Sequence, residues 1–260
     1  MEEATRTRHG REREFHDRLY GIEAEVREPA AKYYAVAAAG YALYAKRLRR
    51  MAPASRVLEY GCGTGGYSFA LAEAGADVTG VDISPVAVDR ARDTARRRGV
   101  DHSTSFAVMD CESLDLGDRS FDVVCGDAIL HHLDVRNAYR EISRVLKEDG
   151  TAVFTEPLGH NPLINLYRRR TPELRTPDEH PLRVADLELA SEFFGSVETD
   201  FANLLSLAAV PLRHTGLFTP AAARLHALDR RLFDRVPWVR RHAWMVVLEM
   251  REPIAVSARP

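Results

Sequence analysis

The stretch from Arg56 to Ser84, RVLEYGCGTGGYSFALAEAGADVTGVDIS, carries glycine at 61, 63, 65 and 66. So many bare residues serve neither a helix nor a strand interior. A glycine-rich turn between a strand and a helix lets a ligand approach the backbone, and the helix N-terminus behind it offers free N–H groups and a partial positive charge. Gly61, Gly63 and Gly66 satisfy G-x-G-x-x-G, and Asp82 closes the next strand about twenty residues on, where a carboxylate accepts both hydrogen bonds of a ribose diol. That spacing alone permits a dinucleotide. Three features move the reading away from one: Gly61, Gly63 and Gly65 also form G-x-G-x-G, Glu59 stands two residues ahead of the loop, and Asp110 in FAVMDCESL is a second strand-end acid, followed by Cys111. An acceptor there suits the donor amine of an adenine, so the implied ligand is an adenosine with a short zwitterionic tail. Groups able to take up a proton follow at His131 and His132, at the carboxyl end of the fourth predicted strand, at Glu156 ending the fifth, and at His160 beyond it. All fall on the edge where open α/β sheets hold their ligands.

The elements that must position these residues are legible from Ser55 onward. Short runs at Val57-Leu58, Val78 to Val81, Ser105 to Val108, Val123 to Cys125 and Ala152 to Thr155 alternate with helical stretches, which is a βαβ series around a parallel sheet. The helix after the loop runs from Tyr67 to Gly75. The next has Ser84 as N-cap, Pro85 in its first turn and Gly99 at its end. A third, NAYREISRVLKEDG, places Ala138, Ile142, Val145 and Leu146 on one face and is expected to end at Gly150. Residues 1 to 14 are charged and read as frayed. Residues up to 50, with aromatics at Tyr33, Tyr34, Tyr41 and Tyr44, read as an N-terminal helical lid. From Glu156 a segment with five prolines interrupts the rhythm before a helix from Val184 to Phe194. A strand is expected near Ser196 to Phe201 and a closing one over His242 to Met250. Between them LLSLAAVPL and AAARLHALDRRLFDRV read as amphipathic helices. The organisation expected is a lid over 1–50 and one domain over 51–260, with insertions at about 157–183 and 202–241.

With 36 Lys and Arg against 38 Asp and Glu, a formal charge of −2, no global field draws the chain to nucleic acid. Cys62, Cys111 and Cys125 are odd in number and lack metal spacing, so they read as reduced thiols of a cytoplasmic protein. The charged N-terminus does not resemble a signal peptide, and no run reaches the ~18 apolar residues of a spanning helix.

In their order and spacing, VLEYGCGTGG, VTGVDIS, VMDCESL, FDVVCGDAILHHL and EISRVLKEDGTAVFTEP resemble the class I S-adenosylmethionine-dependent methyltransferases, in particular the small-molecule branch similar to ubiquinone and menaquinone biosynthesis methyltransferases. The resemblance covers about Ala52 to Glu156. It implies a doubly wound, mostly parallel, seven-stranded Rossmann-like sheet with S-adenosylmethionine as cofactor. By the resemblance, Glu59, Gly61, Cys62, Gly63 and Gly65 line the methionine and ribose, and Asp82 holds the ribose with Ile83 against the adenine. Asp110 and Cys111 meet the adenine edge, and Gly126 and Asp127 face the methionine amino group.

Methyl transfer from a sulfonium is an in-line displacement, so alignment of the nucleophile comes first and proton removal second. His132, His131, Glu156 and His160 are the candidates for the latter. Arg168, Arg169 and Arg170 suit an acidic group on the acceptor, and a tyrosine of the lid suits the sulfonium. No Asn-Pro-Pro-Tyr or Asp-Pro-Pro-Tyr follows the fourth strand, which disfavours nucleic-acid substrates. No acidic cluster of the catechol type is visible, so metal-independent chemistry is expected. Leu163, Ile164, Leu166, Leu204, Leu205, Leu207, Val210, Leu217 and Phe218 in the insertions favour an apolar or amphipathic small-molecule acceptor, with oxygen or nitrogen preferred over carbon. The same segments suit a membrane surface, a lipid-linked acceptor or a second subunit, in a monomer or a homodimer. An NAD-dependent oxidoreductase and a non-catalytic adenosylmethionine-binding protein are the alternatives.

Overall fold

A computed structural model describes residues 2–21, 28–172, 176 and 178–254. Seven strands form one sheet: β1 (Arg56–Tyr60), β2 (Asp77–Asp82), β3 (Thr104–Val108), β4 (Phe121–Asp127), β5 (Leu146–Pro157), β6 (Phe194–Ala202) and β7 (Met245–Pro253), in the order β3-β2-β1-β4-β5-β7-β6. The first five are parallel to one another, and β7 runs antiparallel to both β5 and β6. The strand order reverses between β1 and β4, the switch point at which such sheets bind ligands.

Both faces of the sheet are covered, so alternate residues go to two separate cores. Leu58, Val124, Ala152, Phe154, Val246 and Leu248 point to one, and Val57, Val123, Cys125, Val153 and Val247 to the other. Helix α5 (Val135–Val145) closes the first core with Ala138, Tyr139, Ile142 and Val145. On the second, α3 (Ser68–Glu73) and α4 (Pro85–Arg98) are joined by Tyr44, Leu48 and Ala52 of the N-terminal region. That region forms two helices, α1 (Glu2–Gly21) and α2 (Glu28–Met51). The expected caps of α4 are present: Ser84 Oγ accepts from Ala87 N at 3.1 Å, and Gly99 adopts φ +70°.

Several boundaries differ from the sequence reading. Residues 2–14 are helical rather than frayed, and Glu12 is 5% exposed. Helix α5 stops at Val145 rather than Gly150. The register slips between Phe121 and Val123, so Leu146 pairs with Phe121 and Thr151 with Val123, and a bulge absorbs the residues between. A Cβ on Gly150 would lie 2.7 Å from Leu146 Cδ2, which explains a glycine inside that strand. The helix expected over Val184 to Phe194 is only α7 (Val184–Leu189) and a 3-10 turn (Ala190–Glu192), because Phe194 already enters β6. The closing strand begins at Met245, and His242 ends a 3-10 segment (Pro237–His242).

Both insertions are helical. The first contains α6 (Pro162–Arg170), capped by Asn161 Oδ1, which accepts from Leu163 N and Ile164 N at 3.1 Å. In the second, LLSLAAVPL is a 3-10 helix (Leu205–Leu212) with Pro211 inside it, followed by α8 (Phe218–Arg235). Asp229 of α8, 2% exposed, accepts from the N–H groups of Leu204, Leu205 and Ser206 at 3.2, 2.6 and 3.2 Å. Asp229→Ala strips three backbone donors, that of Ser206 buried, of their partner. We expect a loss of about 1–3 kcal/mol, read from urea denaturation with an unchanged slope.

Candidate active site

Register aligns the carboxyl ends of the central strands: Tyr60 pairs with Val81 on one side and Gly126 on the other, and Asp127 pairs with Thr155. The residues that follow each strand therefore emerge on one edge. Gly61, Gly63 and Gly65 have φ of +61°, +52° and +105°, the left-handed region that glycine enters without strain. A side chain would have no room either, as a Cβ on Gly61 would meet Ile129 Cδ1 at 2.5 Å and one on Gly65 would meet Phe69 Cζ at 2.1 Å.

Two buried carboxylates hold this loop. Glu59, 3% exposed, accepts from Tyr67 N at 2.7 Å, from Ser68 N at 2.8 Å and from the Ser68 hydroxyl. Its carboxylate is thus committed to the start of α3. Asp82 accepts from Gly63 N at 2.8 Å through one oxygen and from Ser84 N at 2.9 Å through the other. Burial pushes both acids above the usual carboxylate range against these hydrogen bonds. Each Asp82 oxygen retains a lone pair for a second donor.

Helix α1 lies across this edge. Beside it a cavity of about 370 Å3 is lined by His9, Gly10, Arg13, Ile83, Met109 and Asp110. Asp110 faces His9 Nδ1 at 3.1 Å and accepts from Glu112 N at 2.8 Å. Cys111 is buried, and its carbonyl accepts from the Tyr60 hydroxyl. All three cysteines are free and buried, with Cys62 Sγ 3.6 Å from Gly63 O. Gly126 is packed by Phe154 and Ile129, each within 2.7 Å of where a Cβ would sit, and Asp127 ends β4 half-buried. Further along α1, Arg11 is bidentate to Asp178 at 2.8 Å, Arg8 pairs with Glu112, and the Ser84 hydroxyl donates to Asp17.

The acceptor-side candidates separate into three kinds. Glu156 is fully buried and accepts from Ile129 N and Leu130 N at 2.8 Å with one oxygen, while the other lies 2.8 Å from His131 Nδ1. Burial pushes Glu156 up to about 7 and His131 down to about 3, so the pair favours its neutral form. His160 does not join them. Its Nε2 accepts from Val184 N at 3.4 Å and its carbonyl faces His242 Nδ1. His132, on the turn Leu130–His132 after β4, lies 3.2 Å through Nδ1 from Glu12 Oε2, and its ring stacks 4.2 Å from that of His131. Burial and the neighbouring His131 lower its pKa. His16 Nε2 lies 3.5 Å from the same Glu12 oxygen, and Thr176 donates to the other. Burial alone would raise Glu12, but the close approach of His132 and His16 and the hydrogen bond from Thr176 hold it well below the usual range.

Glu12, His16 and Glu179, which is 4.0 Å from His131 Nε2, were not singled out by the sequence reading. The Glu12-x-x-x-His16 spacing on one helix face was the available signal. Arg168 is tied to Leu158 O at 3.0 Å and Asn165 Oδ1 at 3.1 Å, while Arg169 and Arg170 are exposed. Tyr44 is buried edge-on to Tyr67, and Tyr33 and Tyr34 carry side chains outside the described residues.

Residues 58–154 match the family described as methyltransferase domain. Over 109 residues, 40% of each chain, the sequence is 38% identical to the 27-O-demethylrifamycin SV methyltransferase of Amycolatopsis mediterranei. The chain spans from a fifth to about half the length of the curated relatives it matches. Among solved structures, a phosphoethanolamine N-methyltransferase of Haemonchus contortus, with phosphomonomethylethanolamine and S-adenosylhomocysteine bound, aligns at TM-score 0.55 over 76% of this chain and 49% of that one, at 19% identity. A four-plus-two cyclase aligns at 0.53 over 80% and 82%, at 25% identity. The bare glycine turn and the strand-end acids fit S-adenosylmethionine as the cofactor, and one of the matched structures holds S-adenosylhomocysteine. Residues 58–154 carry a methyltransferase domain, and the relatives they are similar to include small-molecule methyltransferases.

Proposed function

We propose that the protein methylates a small apolar or amphipathic acceptor through an oxygen or nitrogen nucleophile. One observation carries this reading: a single sheet edge brings the glycine loop and Asp82 together with the Glu12–His132 pair. Since related folds also host a cyclase, the fold alone would not suffice. In this reading the loop from Gly61 to Gly65 receives the methionine and ribose portions, Asp82 the ribose hydroxyls, and Ile83 with Asp110 the adenine at the α1 cavity. Gly126 and Asp127 border the amino-acid end. When bound, S-adenosylmethionine supplies an electrophilic methyl group for in-line displacement. Glu59 acts through the loop and is a positioning residue.

Of the four acceptor-side candidates, His132 is assigned to the acceptor's nucleophilic atom. Glu156 and His131 are occupied with each other and with the backbone, and so set the turn that presents His132. Helix α1 serves as the lid, since it reaches Asp110 at one end and His132 further along. The apolar group formed by Ala37, Ile164, Leu207, Trp244 and Met245, with Leu163, Leu166 and Leu205 exposed nearby in sequence, supports an amphipathic acceptor. A lipid-linked acceptor or contact with a membrane surface belongs to the same reading. Among the described residues no helix is long and apolar enough to cross a membrane.

Calorimetry with S-adenosylhomocysteine tests the cofactor assignment: Asp82→Ala should weaken binding at least tenfold, and unchanged affinity would remove the ribose role. His132→Asn should lower kcat about 10²- to 10⁴-fold while leaving S-adenosylhomocysteine affinity near that of the parent. Equal kcat in steady-state assays would dismiss His132.

The buried pair also makes a pH prediction. Glu156 is raised from 4.5 to about 7, so its contribution is full below pH 4.5 and disappears as pH rises through 7. His131 is lowered from 6.5 to about 3, so its contribution is full above pH 6.5 and disappears as pH falls through 3. Between 4.5 and 6.5 the two slopes oppose. Glu156→Gln removes one of them, and thermal melts of the variant should then fall more steeply on acidification from pH 6.5 to 4.5 than those of the parent. Each unopposed group contributes at most about 1.4 kcal/mol per pH unit.

A further inference from the structure

We propose that Glu12, His16 and His132 form a binding site for one divalent transition-metal ion of the zinc type, with a remaining position open to an oxygen atom of the acceptor. The inference rests on the reading of His132 as the acceptor-side residue and deepens it. Glu12 and His16 stand four apart on α1, so both project from one face of the helix. His132 approaches them from the turn after β4. Glu12 Oε2 is 3.2 Å from His132 Nδ1 and 3.5 Å from His16 Nε2, and the three donor atoms all lie within 4.8 Å of one another. Ligands about 2.0–2.1 Å from a tetrahedral ion are about 3.3 Å apart, so two of the three edges already have the length that such an ion imposes.

The donor set decides the kind of ion. Two imidazoles with one carboxylate suit zinc, iron(II) and their neighbours, whereas magnesium and calcium take oxygen ligands. Three protein ligands leave a coordination position, as in catalytic rather than structural zinc sites. The surroundings fit as well: Thr176 donates to the second oxygen of Glu12, which orients the carboxylate, and the His131 ring lies against His132 with its own Nδ1 held by Glu156. Glu12 is 5% exposed, so the ion would be largely screened from water. A second grouping, His131, His132 and Glu179, shares His132, but the approach of Glu179 to His131 is longer, at 4.0 Å. With the ion in place, His132 acts on the acceptor through the metal, which fixes an acceptor oxygen, and α1 is joined to the end of β4.

The full chain, freed of metal by a chelator, is titrated with Co2+ and then Zn2+. The expected result is about one ion per chain, visible Co2+ bands of a nitrogen- and oxygen-ligated site with fewer than six ligands, and displacement of Co2+ by Zn2+. Glu12→Gln and His16→Ala should each weaken binding by more than the 10- to 100-fold that loss of an outer partner costs. Because either variant can loosen α1, imidazole proton signals shifted by Co2+ in the unaltered protein are read as well, with two histidines expected. Absence of a bound ion, an ion kept by both variants at unaltered affinity and hence adventitious, or shifted signals that persist in His132→Asn would overturn the proposal. S-adenosylhomocysteine calorimetry runs alongside. Failure there with the ion bound refutes the methyltransferase reading and not the metal site.

Discussion

The glycine turn of this protein depends on a buried carboxylate that is committed to the backbone around it. Glu59, next to last in β1, accepts three hydrogen bonds from Tyr67 and Ser68, and these pull the start of α3 back over the glycine turn. Removing such a group would leave two backbone N–H groups and a hydroxyl unpaired in an apolar surrounding, which costs more than the bonds themselves contribute. Gly66 shows how tightly the arrangement is drawn, since a Cβ there would fall 2.5 Å from Glu59 Oε1. Asp82 complements it by tethering Gly63 from the neighbouring strand. The loop is therefore shaped by acids on two strands before any ligand arrives, which is how a short turn can be precise without side chains of its own.

The second constraint is the polar line along α1. His9, Glu12 and Asp17 reach respectively the end of β3, the turn after β4 and the cap of α4, while Arg11 holds the insertion at Asp178. A helix fastened mostly by polar contacts at its rim costs less to lift than one fastened by a broad apolar face. By contrast α2 buries Tyr44 and Leu48 completely and belongs to the framework. The two N-terminal helices thus play different parts, although composition made them look like one element.

Much of the sheet was legible because parallel strands covered on both faces are short apolar runs bounded by chemically distinct caps, and Ser84, Pro85 and Gly99 fall where those rules put them. Gly61 to Gly66 and Asp82 could be read in the same way, since positive φ and a strand-end acid have few other uses. What misled was local sequence in competition with pairing: LKEDG looks like a helix end, yet Leu146 is drawn into β5 by Phe121. The acceptor side was half legible. His131, His132 and Glu156 sit at strand ends and could be found, but Glu12 lies 120 residues before its partner His132 in a segment whose charges suggested only solvent, and Glu179 lies in a proline-rich insertion. Tertiary contacts over such separations leave no periodic trace.

That separation bears on how the molecule assembles. Arg11 waits for Asp178, 167 residues away, and Glu12 waits for Thr176, 164 residues away. Contacts closing loops of this size contribute nothing until most of the chain has been ordered, so they belong late on the folding route. The sheet can collapse first around its two cores, with α1 docking onto a nearly finished surface. Helix α1, which precedes every strand of the sheet in the sequence, would then be the last to find its place, and the site would come into being only with that final step.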